Sequence, residues 1–211
     1  MTRTDVSLFL APRAPLPETD RALLAAVVAQ VCDADLAAVA VEQRCERCGG
    51  AHGRPRVLRP LGTFVSLSRA ADTVAVAVSV AGPIGVDIES VSAVGRAGFD
   101  DVAFNTGERA ALAALPVGAR DRVRARLWTC KEALLKLSGE GLTVDPQELT
   151  VAWVEAGASV LLTAPQLLDW PGATLDLARL HLSSFDPGPG LVGTLAVLGA
   201  EAPRIKRRPL A

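Results

Sequence analysis

The stretch from Arg120 to Leu137 leaves this chain the fewest options. Val123, Leu127, Cys130, Leu134 and Leu137 recur at steps of four, three, four and three, the spacing of one face of an α-helix and not of a strand. Gly139 and Gly141 then end the helix. On another side Trp128, Glu132 and Lys136 stack one turn apart. A helix with an apolar stripe must bury it against another element. The strongest partner is the strand Ile84-Gly85-Val86-Asp87-Ile88-Glu89. Alternate strand residues share a face, so Asp87 and Glu89 point one way while Val86 and Ile88 pack behind them. Docked together, helix and strand gather Asp87, Glu89 and Glu132, three hard oxygen donors of the kind Mg²⁺ takes alongside water and phosphate oxygens. Each segment alone also has an ordinary reading: solvated acids at a strand end, and a surface Glu132–Lys136 pair.

The chain has 211 residues, enough for one large domain or two small ones, and half of them are hydrophobic, which excludes a disordered chain. Its net charge of -1 argues against a general nucleic-acid binder. No apolar run approaches a membrane span, and Val6 to Ala11 is too short for a signal-peptide core. The expected compartment is the cytoplasm. Four cysteines do not suggest a disulfide scaffold.

Patterning predicts a strand over Asp5–Leu10 and a helix capped by Thr19 or Asp20 and running to Val31. Strands are expected at Leu36–Glu42, Phe64–Ser68 and Thr73–Val80, the last covered on both faces, with Arg44–Pro60 as loop. Asn105 or Thr106 caps a helix reaching Leu115. Strands are expected again at Leu149–Val154, Ser159–Thr163, Leu175–Ser184 and Leu191–Leu198, and the tail Arg204–Arg208 reads as a solvated basic segment. A faint repeat relates Val65-Ser66-Leu67-Ser68 and the strand after it to Leu180-His181-Leu182-Ser183 and the strand after that.

The pattern Gly85-Val86-Asp87-Ile88-Glu89, followed some forty residues later by Trp128-x-x-Lys131-Glu132-x-x-x-Lys136, resembles the 4′-phosphopantetheinyl transferases of the surfactin-synthetase (Sfp) type. The resemblance spans about residues 43 to 142 by motif. It implies an α+β fold of two similar subdomains related by a pseudo-twofold, residues 1–82 and 83–211, with the active site in the cleft between them. It implies transfer of 4′-phosphopantetheine from coenzyme A to a serine of an apo acyl or peptidyl carrier protein, dependent on Mg²⁺ or Mn²⁺. Adenosine 3′,5′-bisphosphate is released, and the enzyme works as a monomer. On the matching positions Asp87, Glu89 and Glu132 surround the metal, with Glu108 a further metal candidate. Glu132 is also the candidate base, and Lys136 stabilises charge on the phosphates or the departing oxygen. Gly53-Arg54-Pro55 matches the family's Gly-Lys-Pro element, and Val65-Ser66-Leu67-Ser68-Arg69 its F-N-x-S-H-S strand end, with Arg69 in place of the histidine. Coenzyme A contacts therefore fall to Arg54, Ser68, Arg69 and Lys131. The basic helix that usually precedes the segment around Arg21 is missing, which leaves Arg21 or Arg13 to supply its phosphate contacts.

Cys45, Cys48 and His52 have zinc-ligand spacing without an evident fourth ligand, and a tight turn with two partly buried thiols explains them as well. The alternative functions are a metal-dependent phosphoesterase using the same carboxylates, or a non-enzymatic interaction module braced by zinc.

Overall fold

Small residues decide where this chain's two main sheets can touch. The computed structural model describes residues 5–13, 17–44, 49–50, 53–153 and 165–210. In chain order the elements are β1 (Asp5–Pro12), α1 (Pro17–Cys32), β2 (Ala40–Gln43), β3 (Pro55–Arg59), β4 (Phe64–Ala70), β5 (Thr73–Ser79), β6 (Ile84–Ser90), α2 (Val91–Arg96), α3 (Asp100–Ala103), α4 (Thr106–Ala114), α5 (Val117–Ser138), β7 (Thr150–Trp153), β8 (Pro165–Asp169), β9 (Leu180–Phe185), β10 (Leu191–Leu198) and β11 (Arg204–Arg208). The fold is mixed α+β. One sheet has the order β11-β1-β5-β4, a second β6-β10-β9, and β2-β3 and β7-β8 form two short ribbons.

Alternation along β5 sets the layers. Val74, Val76 and Val78 face α1, where Leu24, Val27 and Val28 meet them together with Phe9 and Val65. Ala75 and Ala77 face the other way and, with Val6 and Leu8, pack on Ile84, Val86 and Ile88 of β6 and Leu195 and Val197 of β10. Alanine there lets the sheets approach closely, and β5 is covered on both faces as expected. The far side of the second sheet carries α5, whose Leu127, Cys130, Leu134 and Leu137 form the largest cluster with Phe104, Leu149 and Trp170. The two sheets also share a connectivity. In each, the first strand pairs with the last strand of a later hairpin, β1 with β5 and β6 with β10. Among the described residues no helix is long and apolar enough to cross a membrane.

Several boundaries differ from expectation for identifiable reasons. Leu36–Ala38 is a 3-10 turn, because the Asp35 carboxylate accepts the Ala37 N–H at 3.0 Å and holds the chain in a turn ahead of β2. Asp176 does the same for Leu177–Arg179, so the strand expected from Leu175 starts at Leu180. The presumed loop Arg44–Pro60 contains β3, paired with β2. The strand expected at Ser159–Thr163 lies outside the described residues. The basic tail is not a solvated appendage of the second half. As β11 it pairs parallel with β1 in the first sheet, and the Lys206 ammonium lies 2.7 Å from the buried Asp5 carboxylate. An open sheet edge and a buried acid both call for a partner, and this segment supplies one to each.

Candidate active site

The site begins with a missing side chain. Gly85, Asp87 and Glu89 lie on the face of β6 turned to α5, opposite Ile84, Val86 and Ile88. A Cβ on Gly85 would collide with the Ala133 carbonyl oxygen and stand 2.7 Å from the Leu137 nitrogen. The helix therefore rests on the strand backbone at Ala133 and Leu137, each next to Glu132 or Lys136 in the chain, and Gly85 stands two residues from Asp87 on the same face of β6. Close contact of helix and strand brings the two motifs to one cleft of about 540 Å³, lined by Asp87, Glu89, Trp128, Glu132 and Lys136.

Asp87 is 2% exposed. Two side-chain donors crowd one oxygen: Lys136 Nζ donates to Oδ1 at 2.6 Å and Ser68 Oγ donates to it at 2.7 Å. The other oxygen, Oδ2, is buried with no hydrogen-bond partner. Burial raises the Asp87 pKa, against the pull of Lys136 and Ser68. Glu89 is raised to about 7 by burial and then by repulsion from Asp87, while Lys136 and a hydrogen bond from the Trp128 side chain oppose the rise. Glu132 is raised to about 7 by burial and then by Asp87. Trp128 does pack as its bulk suggests, 5.0 Å from Phe99 between ring centroids, and its polar edge serves Glu89 as well.

Three carboxyl groups here face one ammonium, and one carboxylate oxygen is bare. This donor set fits a hard divalent cation: oxygen ligands, surplus negative charge and an unpartnered buried oxygen. Among the described residues no three His, Cys, Asp or Glu side chains are already drawn together tightly enough to hold an ion.

The cleft's opposite wall is basic. Arg54, just before β3, lines it, and its Nη2 donates to the Leu137 carbonyl at 3.1 Å, at the C-terminal end of α5. Burial, and then the Arg56 charge, depress its pKa. Gly139, at φ +83°, ends α5 in the left-handed region, and a side chain there would strike the Arg54 guanidinium. Arg69 and Ser68 reach the cleft from β4.

Three expected residues stand elsewhere. Lys131 is fully buried on another face of α5, where Nζ donates to Glu108 at 2.5 Å, to Ala103 O at 2.8 Å and to Pro146 O at 2.9 Å. Glu108 is the N3 residue of a capping box with Asn105 and also accepts the Val151 N–H at 2.9 Å. Neither lines the cleft, so the pair braces the start of α4 and β7 against α5 instead of supplying a metal ligand and a phosphate contact. Helix periodicity explains the split: adjacent residues on a helix point about 100° apart, so Glu132 can enter the cleft only if Lys131 turns away. Arg21 is exposed on α1 and does not line the cleft. Cys45, Cys48 and His52 lie outside the described residues. Gln43 and Ser66 also line the cleft; Ser66 stands at the asparagine position of the F-N-x-S-H-S element, and no motif marks Gln43.

Residues 83–179 match the model of the 4′-phosphopantetheinyl transferase superfamily. The chain is also similar to the 4′-phosphopantetheinyl transferase psf-1 of Bacillus pumilus, at 30% identity over 147 residues. That alignment covers 69% of this chain and 61% of the relative, so the chain spans somewhat less than two thirds of the relative's length.

Proposed function

The chain belongs to the 4′-phosphopantetheinyl transferase superfamily, and from that premise we propose that it moves 4′-phosphopantetheine from coenzyme A to the serine of an apo carrier protein. The observation that carries the reading is the convergence of Asp87, Glu89, Glu132 and Lys136 on one cleft, with Asp87 Oδ2 left bare beside a wall bearing Arg54 and Arg69. On this reading Asp87, Glu89 and Glu132 hold Mg²⁺, which when bound neutralises the pyrophosphate and activates its phosphorus toward attack. Arg54 and Arg69 orient the phosphates. The carrier's serine oxygen forms a bond to the phosphorus that bears the pantetheine arm, and the bond from that phosphorus to the bridging oxygen breaks. Adenosine 3′,5′-bisphosphate leaves with the electron pair. Glu132, a carboxyl group lining the cleft, takes the serine proton, directly or through water. Lys136 shifts its charge from Asp87 toward the departing oxygen as the phosphates arrive.

The shared connectivity of the two sheets supports a pseudo-twofold relation between halves meeting near Gly82-Pro83, and the reading has the enzyme acting as a cytoplasmic monomer. Carrier loading is the test. Coenzyme A, Mg²⁺ and an apo carrier should give a carrier heavier by one phosphopantetheine, and a chelator should stop the gain. Hydrolysis of coenzyme A without carrier modification would favour a phosphoesterase, a reading that leaves the paired arginines Arg54 and Arg69 without a role.

A further inference from the structure

Two serines on β4, two positions apart, have spent their hydrogen-bonding capacity differently. A hydroxyl has a single proton to donate and lone pairs to accept with. Ser68 Oγ accepts the Ile88 N–H at 3.2 Å and donates its proton to Asp87 Oδ1 at 2.7 Å. Ser66 Oγ accepts the Val86 N–H at 3.0 Å, and among the described residues its own proton meets no acceptor. Both side chains are 5% exposed and both line the cleft. They stand where a neighbouring strand would offer carbonyls to β6, so the two sheets are joined here by side chains. From this accounting we infer that Ser66 is the hydroxyl that donates to an anionic oxygen of coenzyme A, and that Ser68 is a positioning residue which aims Asp87.

The assignment rests on the transferase reading and reverses what the motif suggests, since the motif places Ser68 on the coenzyme. A hydroxyl proton with no protein acceptor is left to serve whatever enters the cleft, and the arginine wall is where an anionic oxygen would arrive to take it. Ser68 has nothing left to give a phosphate unless Asp87 loses its hydrogen bond. That bond is one of the two that load Asp87 Oδ1 and leave Oδ2 open toward the proposed metal.

Two affinities, measured on the full chain, separate the roles. Coenzyme A binding is read by calorimetry, and Mn²⁺ binding in the absence of coenzyme by electron paramagnetic resonance. Ser66→Ala should weaken coenzyme A by about tenfold or more while leaving Mn²⁺ affinity within about twofold. Ser68→Ala should weaken Mn²⁺ by a comparable factor, and Ser66→Thr, which keeps a hydroxyl, should restore coenzyme binding. If Ser66→Ala fails to fold, Ser66→Cys, close in size and a poor donor, replaces it. The inference is overturned if the Ser66 variant binds coenzyme A like the parent, or if each variant shifts both ligands equally, as a loss of sheet packing would. A parent protein that binds no coenzyme A overturns the transferase reading as well.

Discussion

The proposed mechanism gives the Glu132 carboxyl group two duties, and its pKa gives a handle on the site before any substrate is added. In the native protein it takes its proton near pH 7, against an ordinary value of 4.5, because it is buried and faces Asp87. Between those values the folded chain holds a proton that the unfolded chain does not. Stability from this group is therefore complete below about pH 4.5 and is lost as pH rises through 7. Without metal, Glu132→Gln should melt higher than the parent at pH 8, and the difference should vanish as pH falls to about 5. A melting difference that ignores pH would remove the unneutralised carboxyl group from the account. Asp87→Ala tests the same charge surplus from its centre. It deletes the repulsion that raises both glutamates, so the fold should persist. Carrier loading should fall by about a hundredfold or more, the scale of a lost metal contribution; a variant that loads at the parent rate would show that Asp87 is not part of the centre.

At the scale of elements, α5 is aimed by contacts on two sides. On one, Lys131 and Glu108 are both buried and spend their polar capacity on each other and on Ala103, Pro146, Asn105 and Val151. Breaking such a pair from one side strands a charge, so Glu108→Ala should cost about 3–5 kcal/mol, read by denaturant unfolding. Glu108→Gln with Lys131→Met should recover part of that loss; a Glu108→Ala cost under about 1 kcal/mol would mean the pair is solvated. On the other side, Gly85→Ala forces α5 off the strand. Overpacking of this kind costs about 1–3 kcal/mol, and loading should fall by more than the loss of folded protein explains, because Glu132 and Lys136 move together away from Asp87. Unchanged loading would show that α5 does not rest on Gly85. These contacts mark the limit of what the sequence could show. The stripe on α5 and the alternation of β6 are local periodicities, and they were legible, as was the convergence of Asp87, Glu89, Glu132 and Lys136. Glu108 was misplaced because an acid in a helix's first turn looks the same whether it closes a capping box or binds an ion. Ser66 fell inside the matched motif, but its spare proton had no signal, since which proton is left over depends on a strand twenty residues away.

For the molecule as a whole, the last strand adds a polar link between halves whose sheets already share an apolar layer. The cleft lies where β4 of one sheet meets β6 of the other, joined by Ser66 and Ser68. Among the described residues no strand ladder crosses that seam, so the apolar layer between the sheets and a few polar links hold the halves together. β11 supplies one: it extends the first sheet beside β1, its Lys206 pairs with buried Asp5, Arg207 donates to the Asp186 carbonyl in the β9–β10 turn at 3.4 Å, and Gln30 of α1 donates to Pro209 O at 3.1 Å. Sequence pattern missed this because a run of basic residues reads as solvent-facing unless the buried acid it neutralises, two hundred positions away, is known. Removing the chain after Pro203 would open the β1 edge and take the Lys206 charge away from the buried Asp5. A loss of about 2–3 kcal/mol should follow, lowering the melting temperature by about 5–10 °C for a chain this size. The cleft itself contains no residue of β11, so at a temperature where the truncated protein is folded its loading rate should stay within about twofold of the parent. If coenzyme A with Mg²⁺ binds across the same seam, as proposed, it should return much of the lost melting temperature, since a ligand at a hundred times its Kd adds about 2.7 kcal/mol. A truncated protein as stable as the parent would show that β11 merely lies on the sheet; one that stays folded but cannot load carrier would show that the strand shapes the cleft, a role its contacts do not support.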